Sequence, residues 1–351
     1  MPVRPNCKNA LLDNRVTAIR AAHLEAGIKR AELDLSGGID SAVMACLLVM
    51  ALGPENVTLV HSRFATSHDQ TARARWLAES LNCPLVEARL GPVWEVLLAE
   101  MKSSLEDAGY NMEEIEARLE ADPTILGSIR SCLRAPIGRG YNRLTGGGLR
   151  HGTGNECEDR WLRFYQKGGD GEVDSNPLAM LSKGEVYQLA WFLAQRLPKA
   201  KDVLFATIKA TPSPDLWGTG DDHNDEAELL SWTGAPFTYS RIDLETGEYS
   251  YVGTIERVSR LLDLPGEGGD TLGDSLFGDD PVWGHFTRAS RKGIFPEDQF
   301  THQEITTFLL AARTAEDQTR HKMNPNCPTY GTRAELVKAG ILTNDLPEVA
   351  S

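Results

Sequence analysis

The stretch Leu33-Asp34-Leu35-Ser36-Gly37-Gly38-Ile39-Asp40-Ser41-Ala42 decides how this 351-residue chain is expected to fold. An apolar run from Ala31 predicts a buried strand through Leu35, and a helix with an apolar face is expected from Asp40 to Leu52. Glycines between a strand and a helix let the main chain bend tightly and approach a ligand closely. Successive N–H groups and the positive end of the helix dipole then favour a phosphate at this turn.

The side chains of the same loop point to a phosphate bound through a metal ion. Ser36 and Ser41 can donate hydrogen bonds to phosphate oxygens. Asp40 would repel a bare phosphate, so a carboxylate here indicates Mg²⁺ between the protein and its ligand. A plain strand-to-helix turn is the alternative, but the full Ser-Gly-Gly-x-Asp-Ser string is much more specific than two glycines. The loop is neither a Walker loop, since Gly-Lys-Ser/Thr is absent, nor a GxGxxG loop.

Strand and helix signals alternate on both sides of this loop. The alternation predicts a parallel sheet with helices on both faces, which is a doubly wound, Rossmann-like α/β fold. We expect one domain over residues 1–351, with an inserted hairpin and loop region at about 234–300 and a C-terminal helix. The predicted elements are helices at 16–26, 67–81, 92–121, 125–134 (broken by Pro136), 182–196 and 301–323, strands at 56–62 and 83–88, a mobile acidic loop at 211–228, a hairpin within 237–255 and a loose loop at 265–280.

Composition excludes several classes of protein. The chain has 36 Lys and Arg against 50 Asp and Glu, a formal net charge of −14, which argues against non-specific nucleic-acid binding. No apolar run approaches the ~20 residues of a membrane-spanning helix. The six cysteines have the spacing of neither a zinc site nor a disulfide framework. We therefore expect a cytoplasmic protein with reduced thiols that contacts neither nucleic acid nor membrane.

A series of ordered motifs carries a family resemblance. Ser36–Ser41 resembles the pyrophosphate loop of the N-type ATP pyrophosphatases, whose fold is called adenine nucleotide alpha-hydrolase-like and which split ATP between its α and β phosphates. Downstream, the chain resembles the NAD⁺ synthetase branch of that superfamily. The motifs that carry this second resemblance are Gly152-Thr153-Gly154-Asn155-Glu156-Cys157-Glu158, Lys167-Gly168-Gly169-Asp170-Gly171-Glu172-Val173-Asp174, Asn176-Pro177-Leu178-Ala179-Met180-Leu181-Ser182-Lys183, Thr211–Trp217, Asp225–Leu229 and Arg320-His321-Lys322-Met323.

The resemblance implies a role for each matching residue. It implies Mg²⁺ bound by Asp40 and Glu158, with Asp40, Lys183 and Ser213 as catalytic residues and Thr211 as a rival to Ser213. ATP, the co-substrate, would contact Asp34, Leu35, Ser36, Gly37, Gly38, Ile39, Asp40, Ser41, Thr153, Lys183 and Ser213. The acyl substrate would contact Arg134, Lys167, Asp174, His321 and Lys322.

The chain departs from the family pattern around the acyl substrate. Only Arg134 remains of an Arg-x-Arg pair, Gly168 replaces an aromatic residue, and the region at 234–300 is longer than in family members. The ATP motifs are intact. The sequence therefore predicts ATP use more firmly than it predicts the substrate.

The resemblance implies a reaction and its partners. The substrate would be nicotinic acid adenine dinucleotide (deamido-NAD⁺), whose carboxylate takes AMP from ATP, releases pyrophosphate and is then attacked by ammonia. Because few residues precede the first strand, we expect free ammonia or a separate glutaminase as the nitrogen source, and the resemblance implies a homodimer. The alternatives are an amide-forming ligase for a different carboxylate, a tRNA-modifying or sulfur-transfer enzyme, and a non-catalytic nucleotide-binding module.

Overall fold

The computed structural model describes residues 5–64, 66–122, 124–159, 162–213, 224–262, 293–296, 298–319, 322 and 332–346. Strands and helices alternate through the first half, and helices dominate the second. In chain order the elements are α1 (Pro5–Ala26), β1 (Ala31–Asp34), α2 (Ile39–Leu52), β2 (Val57–Arg63), α3 (His68–Leu81), β3 (Leu85–Arg89), α4 (Gly91–Asp107), α5 (Met112–Ala121), α6 (Thr124–Leu144), β4 (Leu149–His151), α7 (Glu156–Asp159), α8 (Lys183–Arg196), α9 (Lys201–Lys209), α10 (Asp225–Thr233), β5 (Arg241–Ile242), β6 (Tyr249–Tyr251), α11 (Thr254–Leu262), α12 (His302–Thr319) and α13 (Arg333–Lys338).

Four parallel strands form the main sheet in the order β3-β2-β1-β4. Leu33 of β1 pairs with Leu59 of β2 on one side and His151 of β4 on the other. The loops that follow β1 and β4 therefore leave the same edge of the sheet side by side. Ligands of open α/β sheets bind at this carboxyl edge, which is where the Ser36–Ser41 loop lies.

The two faces of the sheet are covered by different helices, because side chains alternate along each strand. Leu33 and Leu59 point into a large core with apolar residues of α1, α2, α3, α8 and α9. Val60 points to the opposite face, where it joins a smaller cluster with Ile137 and Tyr141 of α6. The predicted doubly wound α/β fold is confirmed.

Polar residues of β1 and β4 form a buried ion-pair group beneath α6. Arg150 of β4 is 2% exposed and its guanidinium contacts both Glu32 and Asp34 of β1. Gly138 of α6 passes directly above it, since a Cβ at this glycine would lie 1.5 Å from Arg150 Nη1. The helix can cover the ion pair only because residue 138 has no side chain.

Several predicted boundaries are wrong. Pro136 does not break a helix: α6 continues to Leu144, because the residues after the proline bury apolar surface on the sheet. The acidic segment 92–121 divides into α4 and α5 at Gly109, whose φ is +82°. The end of the predicted loop at 211–228 is instead the start of α10, capped by Asn224. Strand β4 and the helices α7, α9, α11 and α13 are not among the predicted elements.

Other predictions on the second half are confirmed. The antiparallel strands β5 and β6 form the expected hairpin. Ser182 and Glu185 form the predicted capping box at the start of α8, and Thr301 pairs with Glu304 at the start of the C-terminal helix α12. The predicted loop at 265–280 lies outside the described residues, and the single domain with an insertion stays a prediction. No described helix is long and apolar enough to cross a membrane.

We expect Gly138→Ala to destabilise the protein by about 1–3 kcal/mol, because the new methyl group forces Arg150 away from Glu32 and Asp34. Gly140→Ala is the matched control on the same helix, since a Cβ there meets nothing within 4 Å. Alanine should stabilise that position by about 0.5–1 kcal/mol. Urea denaturation of both variants measures the difference, and equal effects would show that the close approach at Gly138 is unimportant.

Candidate functional site

The loop after β1 is held in a fixed shape by its own hydrogen bonds. Gly37 has a φ of +88°, and a Cβ there would lie 2.2 Å from the carbonyl oxygen of Gln70, so only glycine fits. Ser36 Oγ accepts from the Gly38 N–H at 3.1 Å and lies 3.0 Å from Ser41 Oγ. Gly38 is also the N-cap of α2 and has no side chain to cap the first N–H groups. These N–H groups are donors of the kind that bind phosphate at helix starts.

Three charged side chains from distant parts of the chain meet beside this loop. Lys183 Nζ lies 2.7 Å from Asp40 Oδ2 and 2.8 Å from Glu158 Oε1. The lysine side chain is 3% exposed, and the carboxylates of Asp40 and Glu158 are 16% and 17% exposed. Asn155 completes the arrangement by donating from Nδ2 to Asp40 Oδ1 at 3.0 Å. The structure thus brings together three residues that the sequence assigns to metal and phosphate binding.

The charge in this cluster is unbalanced. Burial disfavours the ammonium of Lys183, but Asp40 and Glu158 outweigh it and raise its pKa well above the usual value. Burial raises the pKa of Glu158 although Lys183 opposes the shift. Burial also raises the pKa of Asp225 to about 7, against the attraction of Lys183. One ammonium therefore faces three carboxyl groups, and an additional cation would relieve their repulsion.

The donor set fits a magnesium ion that is shared with phosphate oxygens. Among the described residues no group of three or more His, Cys, Asp or Glu side chains is arranged to hold a metal. Asp40 and Glu158 are two carboxylates that approach one another across a single ammonium. Mg²⁺ commonly takes one or two protein carboxylates and completes its shell with phosphate oxygens and water. These two residues are thus suitable ligands for Mg²⁺ that arrives with ATP.

A small cavity continues from the loop along the carboxyl edge of the sheet. Its lining includes Asp34, Leu35 and Ser36 from the end of β1, together with Arg134 of α6 and Ser213. Ser213 is half-buried there, whereas its rival Thr211 is exposed. Thr153 follows β4 at the same edge. Four of the predicted ATP-contacting residues therefore line one cavity, and Arg134, assigned to the acyl substrate, lies among them. These roles stay predictions.

A larger cavity of about 630 Å³ lies one turn earlier along the same face of α6. Ser128 and Ser131 of α6 line it together with Phe164 and Trp232, whose rings stack 6.0 Å apart. Burial raises the pKa of Glu228, another lining residue, to about 8. At neutral pH this carboxylic acid can donate a hydrogen bond. An aromatic surface with polar groups beside it suits a flat, polar ligand.

The residues assigned to the acyl substrate are dispersed. Asp174 is held by Arg139 in a two-bond ion pair of 2.7 and 2.9 Å. Lys167 is exposed. Lys322 lines the larger cavity, but its ammonium donates to the carbonyl oxygens of Arg163 and Tyr165. His321 lies outside the described residues. Among the members of this set that the structure describes, only Lys322 lines the larger cavity.

Sequence reasoning missed several contributors to the site. Asn155 and Asp225 stand inside motifs that the sequence singles out, so attention to every polar residue of those motifs would have found them. Tyr239, whose ring centroid is 5.1 Å from Lys183 Nζ, carries no local signal. Arg139 likewise has no local signal, because its partner Asp174 is 35 residues away.

We expect Lys183→Met to lower stability by about 3–5 kcal/mol near pH 8, because it leaves Asp40 and Glu158 buried without their cation. In the variant, the two carboxylates repel each other, which raises the pKa of one of them above its value in the unfolded chain. The loss of stability should therefore shrink as the pH falls and that carboxylate takes up a proton. Urea denaturation at pH 8 and pH 5.5 tests this. Lys201→Met, at an exposed position on α9, should change stability by less than about 0.5 kcal/mol. A pH-independent loss at residue 183 would contradict this account.

Comparison with known proteins agrees with this geometry. The NAD synthase family model matches residues 11–244. The chain is 29% identical over 253 residues to an NH(3)-dependent NAD(+) synthetase of Carboxydothermus hydrogenoformans, which covers 70% of this chain and 89% of the relative. It is 32% identical over 213 residues to one of Archaeoglobus fulgidus, which covers 60% and 74%.

Solved structures share the fold at low sequence identity. NMN synthetase from Francisella tularensis superimposes with a TM-score of 0.57 at 20% identity, over 91% of this chain and 98% of the other. A glutamine-dependent NAD(+) synthetase from Cytophaga hutchinsonii gives 0.63 at 13% identity, over 92% of this chain and 51% of the other. Because the family model matches about two thirds of the chain, including the loop at 36–41, Glu158 and Lys183, the chain belongs to the NAD synthase family of ATP-dependent amide-forming ligases.

Proposed function

We propose that the protein is an ammonia-dependent NAD⁺ synthetase that amidates deamido-NAD⁺ and releases AMP and pyrophosphate. The observation that carries this proposal is the meeting of Lys183, Asp40 and Glu158 beside the loop at 36–41. A loop that binds phosphates, next to two carboxylates and a buried cation, suits departure of pyrophosphate from ATP. The similarity to NH(3)-dependent synthetases supports ammonia as the nitrogen donor.

The first step activates the carboxylate of the substrate. One carboxylate oxygen attacks the α-phosphorus of ATP, and the bond between that phosphorus and the bridging oxygen to the β-phosphate breaks. Negative charge develops on the departing pyrophosphate. Lys183 and the N–H groups at the start of α2 would stabilise this charge, and Mg²⁺ held by Asp40 and Glu158 would supply further positive charge.

The second step forms the amide. Ammonia attacks the acyl carbon of the adenylate, the bond from that carbon to the AMP oxygen breaks, and a proton is lost from nitrogen. No nucleophilic side chain is required, so the protein contributes by positioning the reactants. Water must be excluded because it would hydrolyse the adenylate. We propose that the acidic segment 211–228 covers the site during the reaction; residues 214–223 of it lie outside the described residues.

Placing the acyl substrate completes the proposal. We place its aromatic acid in the larger cavity, against the stacked rings of Phe164 and Trp232, with the protonated Glu228 as a hydrogen-bond donor. Because α6 lines both cavities, a ligand in the larger one can reach toward the ATP site along a single helix face. A homodimer, a cytoplasmic location and a possible separate glutaminase remain part of the proposal, and light scattering tests the first.

Purified protein with ATP, Mg²⁺, ammonium and deamido-NAD⁺ should form NAD⁺ and AMP in equal amounts. Asp40→Asn should lower kcat by at least about 100-fold, because a charged group that acts at the transition state is lost. Asp69→Asn, at a carboxylate that is 86% exposed on α3, should leave it unchanged. Formation of ADP in place of AMP would overturn the adenylation mechanism.

A different carboxylate substrate is the second candidate. Its support is the ion pair of Asp174 with Arg139, which engages a residue expected to bind the dinucleotide. The similarity in fold to a NMN synthetase makes nicotinic acid mononucleotide the first compound to compare.

We expect kcat/KM to be higher for deamido-NAD⁺ than for nicotinic acid mononucleotide by at least tenfold, which corresponds to about 1.4 kcal/mol of transition-state binding by the adenylyl half. Steady-state kinetics with each substrate at fixed ATP and ammonium measures this ratio. A ratio below one would favour the second candidate while leaving adenylation intact.

A further inference from the structure

Two buried arginines from the last third of the described chain reach the same pair of glutamates. Arg260 Nη1 lies 3.0 Å from Glu156 Oε2, and its Nη2 lies 3.4 Å from Glu185 Oε1. Arg333 Nη1 lies 3.4 Å from Glu156 Oε2, and its Nη2 lies 3.1 Å from Glu185 Oε1. The side chains of Arg260 and Arg333 are 1% and 3% exposed. Each guanidinium therefore bridges Glu156 and Glu185 in the interior.

The two glutamates stand beside the residues that carry the proposed chemistry. Glu156 begins α7, which carries Glu158 two positions later. Glu185 is the third residue of α8, whose first residue is Lys183. A main-chain hydrogen bond of 2.7 Å from Glu156 N to the carbonyl of Leu181 joins the same two segments. The spacing between these segments sets where Glu158 stands relative to Lys183.

The two arginines are the cations that face these glutamates in the interior. Glu156 is fully buried. Burial opposes the ionised form of Glu185, but Arg333 and Arg260 outweigh it and lower its pKa to about 2. Without these cations two buried carboxylates would repel each other across the α7–α8 contact. Glu256, which lies 3.3 Å from Arg260 Nη2, extends the group to α11.

Both arginines lie beyond the part of the chain that matches the family model, which ends at residue 244. Arg333 is further fixed by a 2.7 Å bond to the carbonyl of Thr343. The region after residue 244 therefore contributes to the surroundings of the site. Its contribution is indirect, since neither arginine contacts Asp40, Glu158 or Lys183 in any bond described above.

We propose that Arg260 and Arg333 are positioning residues that fix the separation of Glu158 and Lys183 and thereby set the affinity for Mg²⁺ with ATP and the rate of adenylation. This inference rests on the proposed function for the identity of the reaction. The positioning role does not depend on the identity of the acyl substrate, because other residues line the larger cavity in which we place that substrate.

Arg333→Lys is the test, because lysine retains the charge but cannot bridge two carboxylates as a guanidinium does. We expect the Mg²⁺ concentration for half-maximal activity to rise at least tenfold and kcat to fall at least tenfold, with KM for deamido-NAD⁺ within twofold of wild type. Lys338→Gln, an exposed cation on the same helix α13, is the control and should match wild type in all three quantities.

A readout that does not need turnover separates this inference from the proposed function. Mn²⁺ binding, measured by electron paramagnetic resonance with a non-hydrolysable ATP analogue, should weaken at least tenfold in Arg333→Lys. If wild type forms no NAD⁺ but this weakening occurs, the proposed function fails and the positioning role stands. If folded Arg333→Lys binds Mn²⁺ as wild type does, the positioning role is wrong.

A second variant covers the case in which Arg333→Lys does not fold. Glu185→Gln keeps an acceptor for the Ser182 N–H and removes one charge from the arginine group. We expect it to weaken Mn²⁺ binding at least threefold. Unchanged Mn²⁺ binding in folded Glu185→Gln would equally overturn the proposal.

Discussion

A single ammonium between two carboxylates organises the candidate site. Lys183 is nearly inaccessible to water, so its charge must be balanced within the protein, and Asp40 and Glu158 do this at 2.7 and 2.8 Å. The three residues come from the starts of α2, α7 and α8. The carboxyl edge of the sheet, the capping box of α8 and the turn before α7 must all be formed before this contact can exist. Fold and chemistry therefore depend on the same interaction.

Local sequence signals were sufficient for the part of the fold that surrounds the phosphate loop. Alternating apolar strands and amphipathic helices predicted β1 to β3 and the helices between them, and Ser182 with Glu185 predicted the start of α8. These features depend on neighbours in the sequence. Two of the three residues of β4, Arg150 and His151, are polar, so the sequence does not indicate a buried strand there. Their partners in the sheet and in α1 explain their burial.

Contacts between distant residues account for most of what sequence reasoning missed. The pair of Arg139 with Asp174 and the pairs of Arg260 and Arg333 with Glu156 have no signature in spacing or composition. The chemistry of the loop indicates Asp40, the family resemblance adds Glu158 and Lys183, and the meeting of the three residues agrees with the chemistry of carboxylates and phosphates. The resemblance could not indicate that Arg260 and Arg333 complete the surroundings of Glu158, because neither arginine lies in a motif that carries it.

The close approach of Gly138 to Arg150 has an evolutionary consequence. A larger residue at 138 requires a shorter residue at 150, and a shorter residue there removes the ion pair that Arg150 makes with Glu32 in the interior. We expect each replacement alone to destabilise the protein, so the three positions should change together. Lineages of this chain should therefore divide into those that keep all three residues and those that have exchanged all three for an uncharged combination.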